Sequence, residues 1–243
     1  MAGVSSEPLD FCSDETMNCL RGRLEAAVKA GKYTQPVITE MNRLLGYIKS
    51  DVWRLPAPRC ERMSVISRIL QTDPLDPFQI SRAEINGRKQ AMEASDFYRS
   101  SVPGFENAYL LDTSNHIGVR SSRRLQGIDR VSDDDAWSFK KRPDSIARSS
   151  WEIDVWPADS YSKPAVAHED RKYAERAKIL RDNKEYFDIP YGCIVCRGID
   201  NLLMGGRCIS AGHLAESSLR IQQTCMSTGE AAGTTAAISI SED

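Results

Sequence analysis

The sequence predicts an α+β fold, a mixed, largely antiparallel sheet carrying helices. Two observations say so. Helical and strand-like stretches alternate irregularly, without the βαβαβ rhythm of a doubly wound sheet. The chain then closes with a short apolar strand, a Gly205-Gly206 turn and a helix built almost entirely of Ala, Gly, Ser and Thr.

Each element has its own signal. Over residues 13–30, Leu20, Leu24, Ala27 and Val28 recur on one face and Gly31 supplies a stop, which predicts a helix. A second amphipathic stretch, 37–50, carries Met41, Leu44, Leu45 and Ile48, and Pro56 and Pro58 break the pattern. Residues 63–70 alternate and are rich in β-branched side chains, which predicts a strand. Asp73-Pro74 and Asp76-Pro77 are turn signals. Ser81 with Glu84 three residues on reads as a capping box opening a helix to about Ser100, ended by Pro103-Gly104. Strands are expected at 108–112 and 125–131. Ser132 followed by Asp133, Asp134 and Asp135 opens a short helix, the acids offsetting its dipole rather than holding a metal. Residues 151–156 alternate Trp, Ile and Val with acids, as a half-buried strand does. A loop at 157–164 leads to a highly charged, solvated helix at 168–185, and 186–194 returns to the core.

Composition narrows the function. The 243 residues are 41% hydrophobic and 27% charged, with a formal net charge of -2. That balance lacks the basic excess of a dedicated nucleic-acid binder. No apolar run has the length of a membrane span, and the start has neither the basic nor the apolar region of a signal peptide. Seven cysteines without a small-domain spacing point to free thiols in a reducing, cytoplasmic setting. No three of the fifteen glycines form G-x-G-x-x-G, and no Walker-type loop is present.

The closing segment carries the chemistry. Gly205-Gly206 ends a strand where a bulky side chain would block close approach, Arg207 adds a fixed charge and Ser210 a hydroxyl. Such a turn suits phosphate or ribityl oxygens. The helix from about Ile221, its start near Thr224, offers free N–H groups to a dinucleotide cofactor. Gly229 and Gly233, four apart among alanines, let a flat ligand or another backbone come close. Tight packing of helix on sheet explains the same composition equally well. Upstream, Arg120 and Arg124 of an extended stretch share one side, and guanidinium groups suit carboxylates or an anionic ring edge. A solvated surface is the competing reading for Arg120, Arg123 and Arg124. His213 falls in the loop after the Gly-Gly turn, placed to donate a proton or to hold a backbone partner; His168 sits in a charge run. Cys193, Cys196, Cys208 and Cys225 reach the number of thiols that a zinc or [4Fe-4S] site needs, but one pair alone is close-spaced, so no metal ligands are assigned.

The strings N-L-L-M-G-G-R-C-I-S from Asn201, then Arg220, then C-M-S-T-G-E-A-A-G-T-T-A-A from Cys225 resemble the C-terminal FAD-binding signature of the FAD-dependent oxidoreductase family related to heterodisulfide reductase. S-R-A-E-I-N-G-R-K-Q-A (81–91), P-G-F-E-N-A-Y-L (103–110), G-V-R-S-S-R-R-L-Q-G (118–127) and I-P-Y-G-C-I-V (189–195) resemble its middle section, in family order. The chain departs from the family in three places. It lacks the N-terminal Rossmann G-x-G-x-x-G that holds the ADP half of FAD. It has Arg120-Ser121 where the family usually has Arg-Glu, and Gly192-Cys193 where a basic residue usually follows Pro-Tyr.

The resemblance implies an FAD-dependent oxidoreductase acting on a small organic substrate. It implies flavin contacts from Gly205, Gly206, Arg207, Ser210, Arg220, Thr224 and Gly229, with Arg120, Arg123 and His213 at the substrate or flavin edge. The organisation implied is a helical segment at 1–62, a substrate-domain-like α+β region at 63–185 and a C-terminal FAD-binding segment at 186–243. Two alternatives remain. One is a non-catalytic fragment or subunit that needs a Rossmann-containing partner chain or self-association. The other is an iron-sulfur-associated redox protein, since relatives of the family carry clusters.

Overall fold

The computed structural model describes residues 1–3, 14–34, 68–155 and 171–242. These form six α-helices and a two-stranded antiparallel sheet, an α+β fold. The described residues divide into two compact units, one up to Gly118 and one from Val119 onward.

In the first unit, α1 (Asp14–Lys29) and α2 (Pro77–Ser101) supply most of the core. Leu20 and Leu24 of α1 are buried with Ala94, Phe97 and Tyr98 of α2, and with Tyr33 and Phe105. The helix predicted over 13–30 is thus present, and Gly31 follows it at a φ of 65°. The α2 helix begins before its predicted start. Asp76, not Ser81, is the N-cap, accepting the backbone N–H groups of Phe78 and Gln79, with Pro77 in the first turn. Ser81 lies one turn inside, its hydroxyl donating to the Pro77 carbonyl at 2.8 Å. The strand predicted at 108–112 is a single bridge, Tyr109 to Ala2. The helix predicted at 37–50 and most of the strand at 63–70 lie outside the described residues.

The second unit is built on β1 (Ser145–Ser149) and β2 (Phe187–Pro190). Ala147 pairs with Ile189 and Ser149 with Phe187, with an irregularity near Ser145. All four residues of β2 are buried. The carboxylate of Asp188 is tolerated there because it accepts the Arg142 backbone N–H at 2.9 Å and the Ser145 hydroxyl at 3.0 Å. Phe187, Ile189, Ile194, Ile209, Ala215 and Leu219 join Val131 and Ala136 in the core. The short helix predicted after Ser132 is α3 (Asp133–Trp137), with the Ser132–Asp135 capping box complete. The charged helix is α4 (Arg171–Asp182). The turn Gly206–Cys208, α5 (His213–Leu219) and α6 (Gln222–Glu242) complete the unit.

Three expectations are corrected. Residues 125–131 enter the structure through isolated bridges, Gly127 to Cys196 and Val131 to Ala211, not a strand. Residues 151–155 form no ladder, because α5 takes up their backbone groups. The Ser218 hydroxyl donates to the Trp151 carbonyl at 2.8 Å, and the Asp154 N–H donates to the Ser217 hydroxyl at 3.1 Å. His213 belongs to a helix, not a loop: it is the first residue of α5. The periodicity of seven residues is too short to announce that helix in the sequence.

Candidate functional site

The start of α5 is held from outside the helix. One carboxylate oxygen of Asp133 accepts the N–H groups of Leu214 at 2.8 Å and Ala215 at 3.0 Å. It thereby satisfies two of the helix's orphan donors. The fit leaves no room at Gly212, where a Cβ would come 2.2 Å from that oxygen.

Helix α5 and the extended stretches on either side of it enclose a cleft of about 160 Å³. Arg120, Asp154, His213, Glu216 and Arg220 give it its charge and polarity. Asp154 stands between two guanidinium groups, with Arg120 at 3.3 Å and Arg220 at 3.4 Å from the same carboxylate oxygen. Arg220 also donates to the Asp154 backbone carbonyl at 2.7 Å. Burial pushes its pKa down, opposed by the Asp154 charge. Glu216 is buried, and its carboxylate accepts the Ser121 hydroxyl at 2.7 Å and pairs with Arg124 at 3.1 Å. His213 lies at the rim and is exposed.

A second feature joins the Gly205 turn to α6. The Gly206 N–H donates to the Thr228 hydroxyl at 3.0 Å, and Gly206 has a φ of 85°. A Cβ on Gly205 would lie 2.8 Å from the Gly229 Cα and 3.1 Å from the Thr228 carbonyl oxygen. The close approach that the glycines announced is therefore made, at this point, by the protein's own backbone. Thr224 and Thr228 are the buried residues of α6. On its other side the positions of Gly229 and Gly233 face open space, with nothing within 4 Å of a Cβ at either. Arg207 donates to the Val119 carbonyl, one residue before Arg120.

The ten residues singled out in the sequence therefore separate. Arg120, His213 and Arg220 share the cleft. Gly205, Gly206, Thr224 and Gly229 belong to the contact of the turn with α6. Ser210 is buried, its backbone N–H donating to Cys193 and its carbonyl accepting from Val131. Arg123 is exposed and has no ion pair among the described residues. Arg120 and Arg124, expected to share one side, do reach carboxylates that line the same cleft. Sequence reasoning missed Asp154, Ser121, Glu216 and Ser217. Glu216 alone left a trace, as the one acid in a run of small and apolar residues.

Among the described residues no group of three or more His, Cys, Asp or Glu could hold a metal. Cys193 is fully buried, and burial, reinforced by the Asp129 charge, pushes its pKa up to about 12. Cys193, Cys196, Cys208 and Cys225 are all free thiols. Among the described residues no helix is long and apolar enough to cross a membrane.

The family described as FAD dependent oxidoreductase matches this chain over residues 11–243. No curated protein and no solved structure matches it.

Proposed function

The chain belongs to the FAD dependent oxidoreductase family, and from that premise we propose that it supplies the flavin-side and substrate-side residues of an oxidoreductase acting on a small organic molecule. The observation that carries the reading is the family match over nearly the whole chain, joined to a polar cleft in which two arginines converge.

The residues fit the cofactor by their chemistry. The open positions at Gly229 and Gly233 leave helix backbone within reach of a flat ring. Arg207, Arg120 and Arg220 offer positive charge to a pyrophosphate or to an anionic ring edge. Gly205, Gly206 and Thr224 act one layer behind, because the Gly206 N–H is held by Thr228 and Thr224 is buried. Ser210, also buried, shapes the turn from beneath. FAD supplies the acceptance of hydride or electrons. The protein orients the partners, keeps cations near the site of reduction and offers His213 at the rim as a proton donor.

A second reading of the same site starts from the residues of this sequence, which hold no G-x-G-x-x-G. The ADP half of FAD would then be held by a Rossmann-containing partner chain, with this chain completing the site. The free described thiols fit work in a reducing cytoplasm.

Titration of the full chain with FAD tests the first reading. A shifted flavin spectrum and a raised Tm support binding by the chain alone. Protein that stays colourless, with an unchanged Tm, overturns it. Flavin uptake that appears only with a Rossmann-containing chain added establishes the second reading.

A further inference from the structure

The proposed function leaves the substrate unnamed, and the convergence of two arginines on one carboxylate in the cleft narrows it. Two guanidinium groups line the cleft, those of Arg120 and Arg220, while Arg124 pairs with Glu216 from outside the lining. Two carboxylates answer them, Asp154 and Glu216. Glu216 accepts Ser121 and Arg124, both at one oxygen. Asp154 stands between two cations. A single oxygen is shared between Arg120 and Arg220 at 3.3 and 3.4 Å. Well-made pairs between charged nitrogen and oxygen run at roughly 2.7–2.9 Å and are often two-pronged. Each guanidinium carries five donors in a planar fork, and Arg120 directs one of them to Asp154. Arg120 is more than half exposed and free to swing. Arg220 is largely buried and anchored by the Ser217 and Asp154 backbone carbonyls.

Resting on the reading above, we infer that the cleft binds a small organic carboxylate, which takes the place of the Asp154 side chain between Arg120 and Arg220. A planar carboxylate matches the guanidinium fork in a way that a spherical anion does not. The cleft's 160 Å³ is the space of about five liquid waters. It has room for an acid of a few carbons. His213 lines the same walls and offers a hydrogen bond to the rest of such an acid. Asp154 then acts as the internal stand-in that keeps the two cations paired while the cleft is empty of ligand.

Calorimetric titration of the full chain with succinate, its neutral diamide and inorganic phosphate, each without and with FAD, tests the assignment. Succinate is expected to bind saturably and the diamide not at all. The exposed variant Arg120→Met should weaken succinate by about tenfold or more, the share of one charge-assisted contact. Asp154→Asn should tighten it several-fold, because the internal competitor loses its charge. A merely structural Asp154 would give the opposite sign. No saturable succinate heat at millimolar concentration, phosphate binding as tightly as succinate, or weaker binding in Asp154→Asn each overturns the inference. Carboxylate heat without flavin uptake supports the cleft and overturns flavin binding by the chain alone. Flavin uptake without carboxylate heat overturns the cleft alone.

Discussion

The backbone of Gly205 lies directly against that of Gly229, and a Cβ on Gly205 would stand 2.8 Å from the Gly229 Cα. The relationship is one-sided, since a Cβ on Gly229 would meet nothing within 4 Å. The two glycines therefore answer different demands. One is required by packing, the other keeps a helix surface bare.

Gly205→Ala is expected to destabilise the fold by about 2 kcal/mol or more, because backbone atoms on both sides must move apart. Gly229→Ala should leave the fold intact and stabilise α6 by about 0.5–1 kcal/mol, the usual gain of alanine over glycine inside a helix. If the bare face receives the flavin, that same stabilised variant loses FAD affinity. Urea unfolding and flavin titration of the two variants give the comparison. A Gly229→Ala protein that binds FAD as the parent does would remove Gly229 from the cofactor site.

Asp133 reaches across from α3 to cap α5. Replacing it with alanine should cost about 1–2 kcal/mol, as the loss of a good N-cap does. The effect should spread to the cleft, because His213, Glu216 and Arg220 sit on or just after α5. Asp133→Asn would retain an acceptor and recover most of the loss. Amide exchange at Leu214 and Ala215 is the direct measurement. Unchanged protection in Asp133→Ala would rule out the capping role.

Glu216 is buried with Arg124 as its one cationic partner among the described ion pairs. Arg124→Met should destabilise by about 2 kcal/mol, less than a fully buried pair would lose because Arg124 is partly in solvent. Glu216→Gln in that background should restore part of it, since the uncompensated charge is then gone. Ser121→Glu, which installs the residue usual in the family, should be worse than Ser121→Ala. It sets a second carboxylate where a hydroxyl now donates to the first. Double-mutant cycles in urea would expose the coupling.

The Cys193 thiol, its pKa raised to about 12 in the folded protein against an ordinary 9.0, has a definite pH signature. Folding keeps the proton on, while the unfolded chain releases it above about pH 9. The stabilisation is therefore complete below pH 9 and is lost as pH rises through 9 towards 12, by at most about 1.4 kcal/mol per pH unit. Cys193→Ala should flatten that alkaline decline. In the native protein Cys193 should resist thiol reagents at about pH 8, and it should react once urea unfolds the chain. Rapid native labelling would contradict the burial.

Much of the local structure was legible in residue order. The spacing of Leu20, Leu24 and Ala27 predicted α1, and Ser132 followed by three aspartates predicted the start of α3. The charged run predicted α4, and the run of Ala, Gly and Thr predicted α6. Strands were less legible. Ser145–Ser149 has no clean alternation, yet it pairs with Phe187–Pro190. Residues 151–155 alternate well, yet they lie along α5 and give their backbone bonds to its serines. Alternation reports which side chains are buried, not which backbone is across the way.

The site divides in the same manner. Residue order alone determined the family, the α+β class and the presence of a close backbone approach at Gly205, because each depends on residue types at fixed spacing. Tertiary structure alone decided what comes close to Gly205, which is Gly229 of the same chain. It alone brought Arg120, Asp154 and Arg220 to one oxygen across intervals of 34 and 66 residues. Such a meeting is set by how α5 packs against α3 and along residues 151–155, and no local pattern of side chains encodes it. A glycine announces that something must come near; only the fold says what does.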